Sequence, residues 1–252
     1  MTVRNRNIMT ATATPTRPEA KPEGEKRHGN MPMNMVTSYV FFQLDSSFRK
    51  LPAVERQAAK KEVSDLFANL PEGLWCRTYS TFGFREDADF FVWFVTKDLN
   101  IIHQTMTKLY QTSMGAYLSQ SYNYIAVSKE SPYVSGHEHE VPPNENAPLL
   151  FVYPFIKNRE WYLLPFERRM EMMKQHIAVG HEFPNVTINT AYSFGIDDQD
   201  FVVAFDGHTL QDFVNLVMKL RETEASRYTE CDKPMFVGLK KPMNEVLDSL
   251  GV

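Results

Sequence analysis

The stretch that decides the fold is YSFGIDDQDFVVAF (192–205), because it repeats an earlier stretch, STFGFREDADFFVWF (80–94). In both copies a Phe-Gly pair is followed by an acidic turn and then by a strand rich in Phe and Val. Glycine marks turns, and aromatic and β-branched residues favour strands. The chain therefore contains one hairpin twice.

The sequence before each hairpin is repeated as well. A predicted amphipathic helix begins at Pro52 before the first hairpin, and another begins at Pro165 before the second. The turn glycine follows its proline after 31 residues in the first copy (Gly83) and after 30 in the second (Gly195). Agreement in element order, spacing and local residues indicates an internal repeat.

Each copy is predicted to have the order β-α-β-β-α-β, which is the ferredoxin-like unit. The predicted strands span 36–45, 74–84, 88–95, 121–127, 149–155, 186–196, 200–206 and 234–239, and the predicted helices span 51–70, 98–118, 165–182 and 209–228. Two such units can join their sheet edges into a barrel with the helices outside. We therefore expect an α+β fold, a dimeric α+β barrel with an apolar space between sheet and helices.

Composition divides the chain into four segments. Residues 1–34 form a tail too poor in hydrophobic residues to fold alone. Residues 35–127 form the first ferredoxin-like repeat, and residues 128–147 a polar, Pro-rich linker. Residues 148–252 form the second repeat.

The totals exclude several classes of protein. A net charge of −4 argues against nucleic-acid binding, which needs a basic face. No apolar run reaches the ~18 residues of a membrane helix. Cys76 and Cys231 lie far apart and form neither a CxxC pair nor a disulfide framework. A reducing cytoplasm is therefore the expected location.

The second repeat carries reactive side chains that the first lacks. Tyr153, Lys157 and Trp161 lie between its first strand and its helix, and His176 lies among methionines on the apolar face of that helix. A lone histidine in such a place is commonly a core residue, but a neutral imidazole facing an apolar slot can also hold a haem iron. His181 lies about 140° further round the helix, so we do not expect the two imidazoles to share a ligand.

Three stretches resemble the chlorite dismutase family, which includes the coproheme decarboxylases of haem biosynthesis. They are YPFIKNREWYLLPFERRMEMMKQHIAVGHEFP (153–184), YSFGIDDQDFVVAF (192–205) and LRETEASRYTECDKPMFVG (220–238). The resemblance covers roughly residues 36–240. It implies two ferredoxin-like repeats per subunit, haem in the second repeat, and a homopentamer.

The resemblance also implies roles for individual residues. His176 matches the axial iron ligand, and Tyr153 matches the tyrosine that forms a radical in the decarboxylases. Lys157 and Ser226 match residues that contact porphyrin propionates, and Trp161 matches a tryptophan packed near the proximal side.

The other face of the porphyrin departs from the pattern of the chlorite-degrading members. Those members have an arginine there, where this chain has Ile188, or Asn189 if the register slips by one. His137 matches, loosely, a distal histidine of actinobacterial decarboxylases. Phe155 stands where many decarboxylases have methionine.

Taken together, the resemblance implies a peroxide-dependent decarboxylase. Iron coproporphyrin III (coproheme) would be substrate and cofactor, hydrogen peroxide the second substrate, and haem b the product. A chlorite dismutase or weak peroxidase on the same fold is the first alternative. A haem-binding or sensing protein without catalytic activity is the second.

Overall fold

A computed structural model of the chain describes residues 34–133 and 145–251. Nearly all of the predicted tail and most of the linker, including His137, lie outside the described residues. The strands are β1 Val36–Leu44, β2 Trp75–Ser80, β3 Phe90–Thr96, β4 Leu118–Val127, β5 Leu149–Lys157, β6 Val186–Tyr192, β7 Phe201–Gly207, β8 Thr229–Cys231 and β9 Phe236–Lys240. The helices are α1 Ala53–Ala68, α2 Leu99–Gln111, α3 Arg159–Leu163, α4 Phe166–His181, α5 Leu210–Glu222 and α6 Met243–Ser249.

The strands form one antiparallel sheet that closes on itself. Its order is β7-β6-β4-β1-β3-β2-β9-β5, and β5 pairs with β7 to complete the circle. The first repeat contributes β4-β1-β3-β2, and the second contributes β9-β5-β7-β6. The two are joined by short pairings, β2 with β9 and β4 with β6. The predicted α+β fold is confirmed.

The strands are apolar on both faces because each face is covered. On β3, Phe90, Val92 and Phe94 face the helices of the first repeat, whereas Phe91 and Trp93 face the barrel interior. All seven β3 residues are buried. Alternate side chains of a strand point to opposite faces, so one Phe/Val-rich run serves both cores.

The helices repeat as closely as the strands. α1 and α4 each follow a proline, Pro52 and Pro165, and each is 16 residues long. Proline suits this position because the first amides of a helix have no partner within the helix. Aligned from these prolines, Val63 of α1 corresponds to His176 of α4, and Phe67 corresponds to Gly180.

Two predicted helices were too long. The helix predicted over 98–118 ends at Gln111, and the one predicted over 209–228 ends at Glu222. In each, a threonine follows the last residue with extended backbone, and its hydroxyl donates to a carbonyl three residues back at 2.7 Å (Thr112, Thr223). That local bond competes with continuation of the helix.

Two short helices were not predicted. α3 begins after Asn158, whose side chain accepts a hydrogen bond from the Trp161 amide at 3.1 Å. α6 follows Pro242 and packs Val246 and Leu247 into the core of the first repeat. Neither helix is long enough to show a clear apolar period.

A buried ion pair links the repeats inside the barrel. Arg77 of β2 and Asp206 of β7 are 3.1 Å apart, and their side chains are 5% and 0% exposed. Asn189 donates to the same carboxylate at 3.0 Å, and Arg77 also contacts Glu145 at 2.9 Å. Because charge in a dry interior needs partners, these groups depend on one another.

Replacing Arg77 with alanine leaves the Asp206 carboxylate buried without its cation. We expect Arg77→Ala to lower the free energy of unfolding by about 3–5 kcal/mol. Lys61→Ala is the control, because it removes an exposed ion pair with Asp65 and costs at most about 0.5 kcal/mol. Urea denaturation of the three proteins measures both effects, and equal losses in the two variants would contradict the prediction.

Candidate functional site

His176 lies in an open cleft between α4 and the sheet of the second repeat. The open space of the cleft, counted together with the solvent that enters it, is about 460 Å³. Apart from His176 and His181 its walls are apolar or backbone: Ile177, Gly180, Phe183, Val186, Ile188 and Leu220. An apolar cleft with one inward imidazole suits a flat, largely apolar ligand.

The cleft lies where the two repeats differ at two helix positions. In the first repeat Phe67 stacks on Phe94, with ring centroids 6.3 Å apart, and fills the space between helix and sheet. In the second repeat the corresponding residue is Gly180, and a β-carbon built there would meet nothing closer than Ile188 Cδ1 at 3.9 Å. Likewise the buried Val63 of the first repeat is replaced by His176.

His176 is neutral in this position. Burial, and then the positive charge of Lys157, lower its pKa from 6.5 to about 4. An uncharged imidazole keeps a lone pair for a metal, so the side chain can act as an axial iron ligand at physiological pH.

Lys157 is buried and lies on the His176 side of the cleft. Its ammonium donates to the Ala225 carbonyl at 2.6 Å and lies 4.7 Å from the centre of the Trp161 ring. Burial lowers its pKa to about 8. Its charge therefore acts on His176 from within the protein, and the propionate contact implied by the resemblance stays a prediction.

Tyr153 belongs to the same apolar cluster as four of the cleft residues (Phe183, Val186, Ile188 and Leu220). Its ring stacks on Phe205 with centroids 5.9 Å apart. Burial, and then the charge of Asp232, raise the pKa of the phenol, while Arg221 lowers it. Tyr153 is therefore a neutral, water-shielded phenol in the apolar cluster behind the cleft.

Arg221 and Asp232 are site residues that the sequence analysis did not identify. They form an ion pair at 3.0 Å, and both act electrostatically on Tyr153. Arg221 falls inside the stretch that carries the resemblance, but its pairing with a residue eleven positions away has no local signal.

The strand pleat distinguishes Ile188 from Asn189. Ile188 lines the cleft, whereas Asn189 points into the barrel and donates to Asp206. Of these two neighbours, the apolar Ile188 is therefore the one whose side chain would face a ligand of the cleft.

The remaining predicted site residues occupy varied positions. Phe155 packs at the edge of the Tyr153 cluster. The Ser226 hydroxyl is engaged within its own turn, donating to the carbonyls of Arg221 and Thr223 at 2.7 Å. The exposed His181 lines the same cleft as His176. Helical spacing had placed the two imidazoles about 140° apart, on different sides of the helix.

Comparison with known proteins decides the family. A sequence profile named "Chlorite dismutase" matches residues 56–241, well over half of the chain. The chain belongs to the chlorite dismutase family. The family resemblance of the three sequence stretches is thereby confirmed.

Relatives within the family are named for different activities. A coproheme decarboxylase from Mycolicibacterium smegmatis is 28% identical over 177 residues, covering 68% of this chain and 75% of the relative. A chlorite dismutase from Ideonella dechloratans is 22% identical, covering 86% of this chain and 80% of the relative.

Solved structures agree on the fold. A variant chlorite dismutase from Candidatus Nitrospira defluvii has a TM-score of 0.82 at 25% identity, covering 88% of this chain and 98% of its own. A haem-binding protein from Thermus thermophilus has a TM-score of 0.75 at 23% identity, covering 90% of this chain and 100% of its own. Across 34–133 and 145–251, no helix combines the length and apolar character needed to span a membrane.

An aromatic ring at position 180, like Phe67 in the first repeat, should fill the cleft and weaken ligand binding. We expect Gly180→Phe to weaken haemin binding at least roughly a hundredfold, about 3 kcal/mol, without loss of folding. Gly180→Ala is the matched control and should bind, because its β-carbon makes only an ordinary contact with Ile188. Spectroscopic titration with haemin measures both, and tight binding by Gly180→Phe would place the ligand elsewhere.

Proposed function

We propose that this protein binds coproheme in the cleft, where His176 would hold the iron, and converts it to haem b by peroxide-dependent oxidative decarboxylation. The relative from Mycolicibacterium smegmatis, called a coproheme decarboxylase, supports this class of reaction. The observation that carries the proposal is Tyr153, a buried phenol in the apolar cluster that supplies four of the residues lining the cleft.

The donor set fits an iron porphyrin. One neutral imidazole supplies the iron ligand, and the Gly180 position leaves room for a flat ring to approach α4 closely. Ile188, Val186 and Leu220 supply apolar contacts to a macrocycle. A bound iron porphyrin supplies, together with hydrogen peroxide, the oxidising equivalents for the reaction.

Tyr153 transfers those equivalents to the substrate. It gives up a hydrogen atom, and the phenoxyl that remains takes one from the β-carbon of a propionate. The propionate then loses a further electron to the peroxide-derived oxidant, carbon dioxide leaves, and a vinyl group remains on the porphyrin ring. Burial suits Tyr153 to this role, since it keeps the phenol neutral and shields the radical from water.

Cationic and hydroxyl groups position the propionates in this proposal. Ser226 and Lys157 are the candidates from the family resemblance, and the structure adds Arg221. The Arg221 guanidinium is exposed and acts electrostatically on Tyr153, so it can fix a carboxylate beside that phenol. Trp161 and Phe155 supply packing.

Ile188 argues against chlorite as the substrate. Chlorite chemistry needs a cation on the open face to stabilise a bound oxyanion, and an aliphatic side chain cannot provide one. His137 stays a candidate for that face. The homopentamer, the cytoplasmic location and the division into two repeats with a linker also stay predictions.

The direct test is conversion of coproheme under hydrogen peroxide, followed by product mass. We expect coproheme to lose two carboxyl groups with the wild-type protein and none with Tyr153→Phe. Tyr117→Phe, a change on the first repeat, should react like wild type. His176→Ala should show no haem absorption band. If Tyr153→Phe decarboxylates coproheme as fast as wild type, Tyr153 is not the radical residue. If the haem-bound protein does not react with peroxide, the result favours a haem carrier.

Exchange of one residue should introduce chlorite chemistry. Wild type should evolve little oxygen from chlorite, and Ile188→Arg should raise the rate by roughly 10²-fold, the value of one oxyanion donor. Asn189→Arg is the control, because it places the charge beside Arg77 inside the barrel. It should destabilise the fold and should not raise the rate of oxygen evolution. High oxygen evolution by wild type would show that Ile188 is not the deciding residue.

A further inference from the structure

Tyr162 and Asp200 form a phenol–carboxylate pair outside the cleft. The Tyr162 hydroxyl donates to Asp200 Oδ2 at 2.6 Å. Tyr162 lies on α3, directly after Trp161, and is half-buried. Burial and this hydrogen bond raise the pKa of the phenol, which keeps its proton until the phenol is oxidised.

The fold does not require this phenol. Asp200 also accepts the Lys157 backbone amide at 2.9 Å, and this bond holds the end of β5. In the first repeat Asp89 holds the end of β1 in the same way, accepting the Leu44 amide at 2.8 Å. Aligned from the repeat prolines, the residue corresponding to Tyr162 is Arg49, which instead donates to the Leu250 carbonyl.

A phenol bound to a carboxylate is suited to one-electron oxidation. Removal of an electron makes the phenol strongly acidic, and a base already at hydrogen-bond distance accepts the proton at once. Tyr122 and Asp87 form a similar pair at 2.7 Å, but Arg85 also binds Asp87 and lowers its pKa to about 2. Asp87 is therefore a poor proton acceptor.

Oxidisable rings connect this pair to the cleft side of the molecule. Trp161 packs with Met172, one turn before His176, and lies beside Lys157. The Tyr228 ring is 5.5 Å from Trp161, and Tyr162 belongs to the same cluster. Tyr162 is itself half-buried, so the cluster reaches the surface at this residue.

We propose that Tyr162, with Asp200 as its proton acceptor, is a second oxidation site at which small phenolic donors from solvent are oxidised by one electron. An electron passes from Tyr162 to oxidised Trp161, and the Tyr162 proton moves to Asp200. The neutral Tyr162 radical then takes a hydrogen atom from the donor phenol, and Asp200 returns its proton to solvent. The proposal rests on the proposed function only for the oxidant, hydrogen peroxide acting at the iron porphyrin.

The test needs no porphyrin. The full-length protein is oxidised with photogenerated tris(bipyridine)ruthenium(III), and the tyrosyl radical is followed by transient absorption and located by spin trapping and peptide mapping. We expect Tyr162 to be oxidised faster than Tyr122. Asp200→Asn should slow Tyr162 oxidation about a hundredfold, the low end for a positioned base, and should remove its solvent deuterium isotope effect.

Asp89→Asn is the matched control, because it weakens the corresponding strand contact in the first repeat without touching a phenol. It should leave Tyr162 oxidation unchanged, and Tyr162→Phe should remove the trapped radical at this position. Equal rates in wild type and Asp200→Asn, or trapping at Trp161 and Tyr228 with none at Tyr162, would overturn the proposal.

A second experiment separates this proposal from the decarboxylase function. In the haem-loaded protein, Tyr162→Phe should lose peroxide-driven oxidation of an added phenol and keep decarboxylation of coproheme. Tyr153→Phe should show the reverse. If wild type decarboxylates nothing, the proposed function fails, while the ruthenium experiment still decides the role of Tyr162.

Discussion

Pairing of β5 with β7 is the constraint on which the rest of the structure depends. Seven residue pairs, from Leu149–Gly207 to Phe155–Phe201, close a sheet that would otherwise end in two exposed edges. Closure encloses the aromatic interior and its buried ion pair. It also fixes Tyr153 and Phe205 side by side on the outer face, under the helices of the second repeat.

Closure leaves each repeat with a helix layer on the outside of the barrel, and the two layers differ in how closely they pack against the sheet. The first is filled by Phe67, Val63 and the residues of α6. The second keeps an open cleft at Gly180 and carries charge within its core at Lys157. The first layer is closed by side-chain packing and the second keeps the cleft, so a partly open site is present in a molecule with a well-packed core.

Much of the fold could be predicted because its signals are local. Turn glycines, prolines at helix starts and alternating Phe/Val runs each act within a few residues, and the repeat doubled every signal. Helix ends were missed where threonine hydroxyls compete for the last carbonyls, as at Thr223. α3 and α6 were missed because a single turn or two of helix has no readable period.

The site was predicted less completely because its residues meet across long sequence distances. Ile188 and Asn189 could be separated only once the pleat of β6 was known. The burial of Lys157 depends on the Ala225 carbonyl, 68 residues away, and the Tyr162–Asp200 pair joins a helix to a hairpin turn. Such contacts follow from the closed sheet, which no local pattern specifies.

The Phe67–Phe94 stack also has a consequence for stoichiometry. Gene duplication alone would give a chain with two equivalent clefts, and two ligands would then bind with related affinities. Because an aromatic ring of the protein itself fills this position in the first repeat, the cleft beside Gly180 has no counterpart among the described residues of that repeat. Titration should therefore saturate at one tetrapyrrole per polypeptide, whatever the number of subunits that assemble.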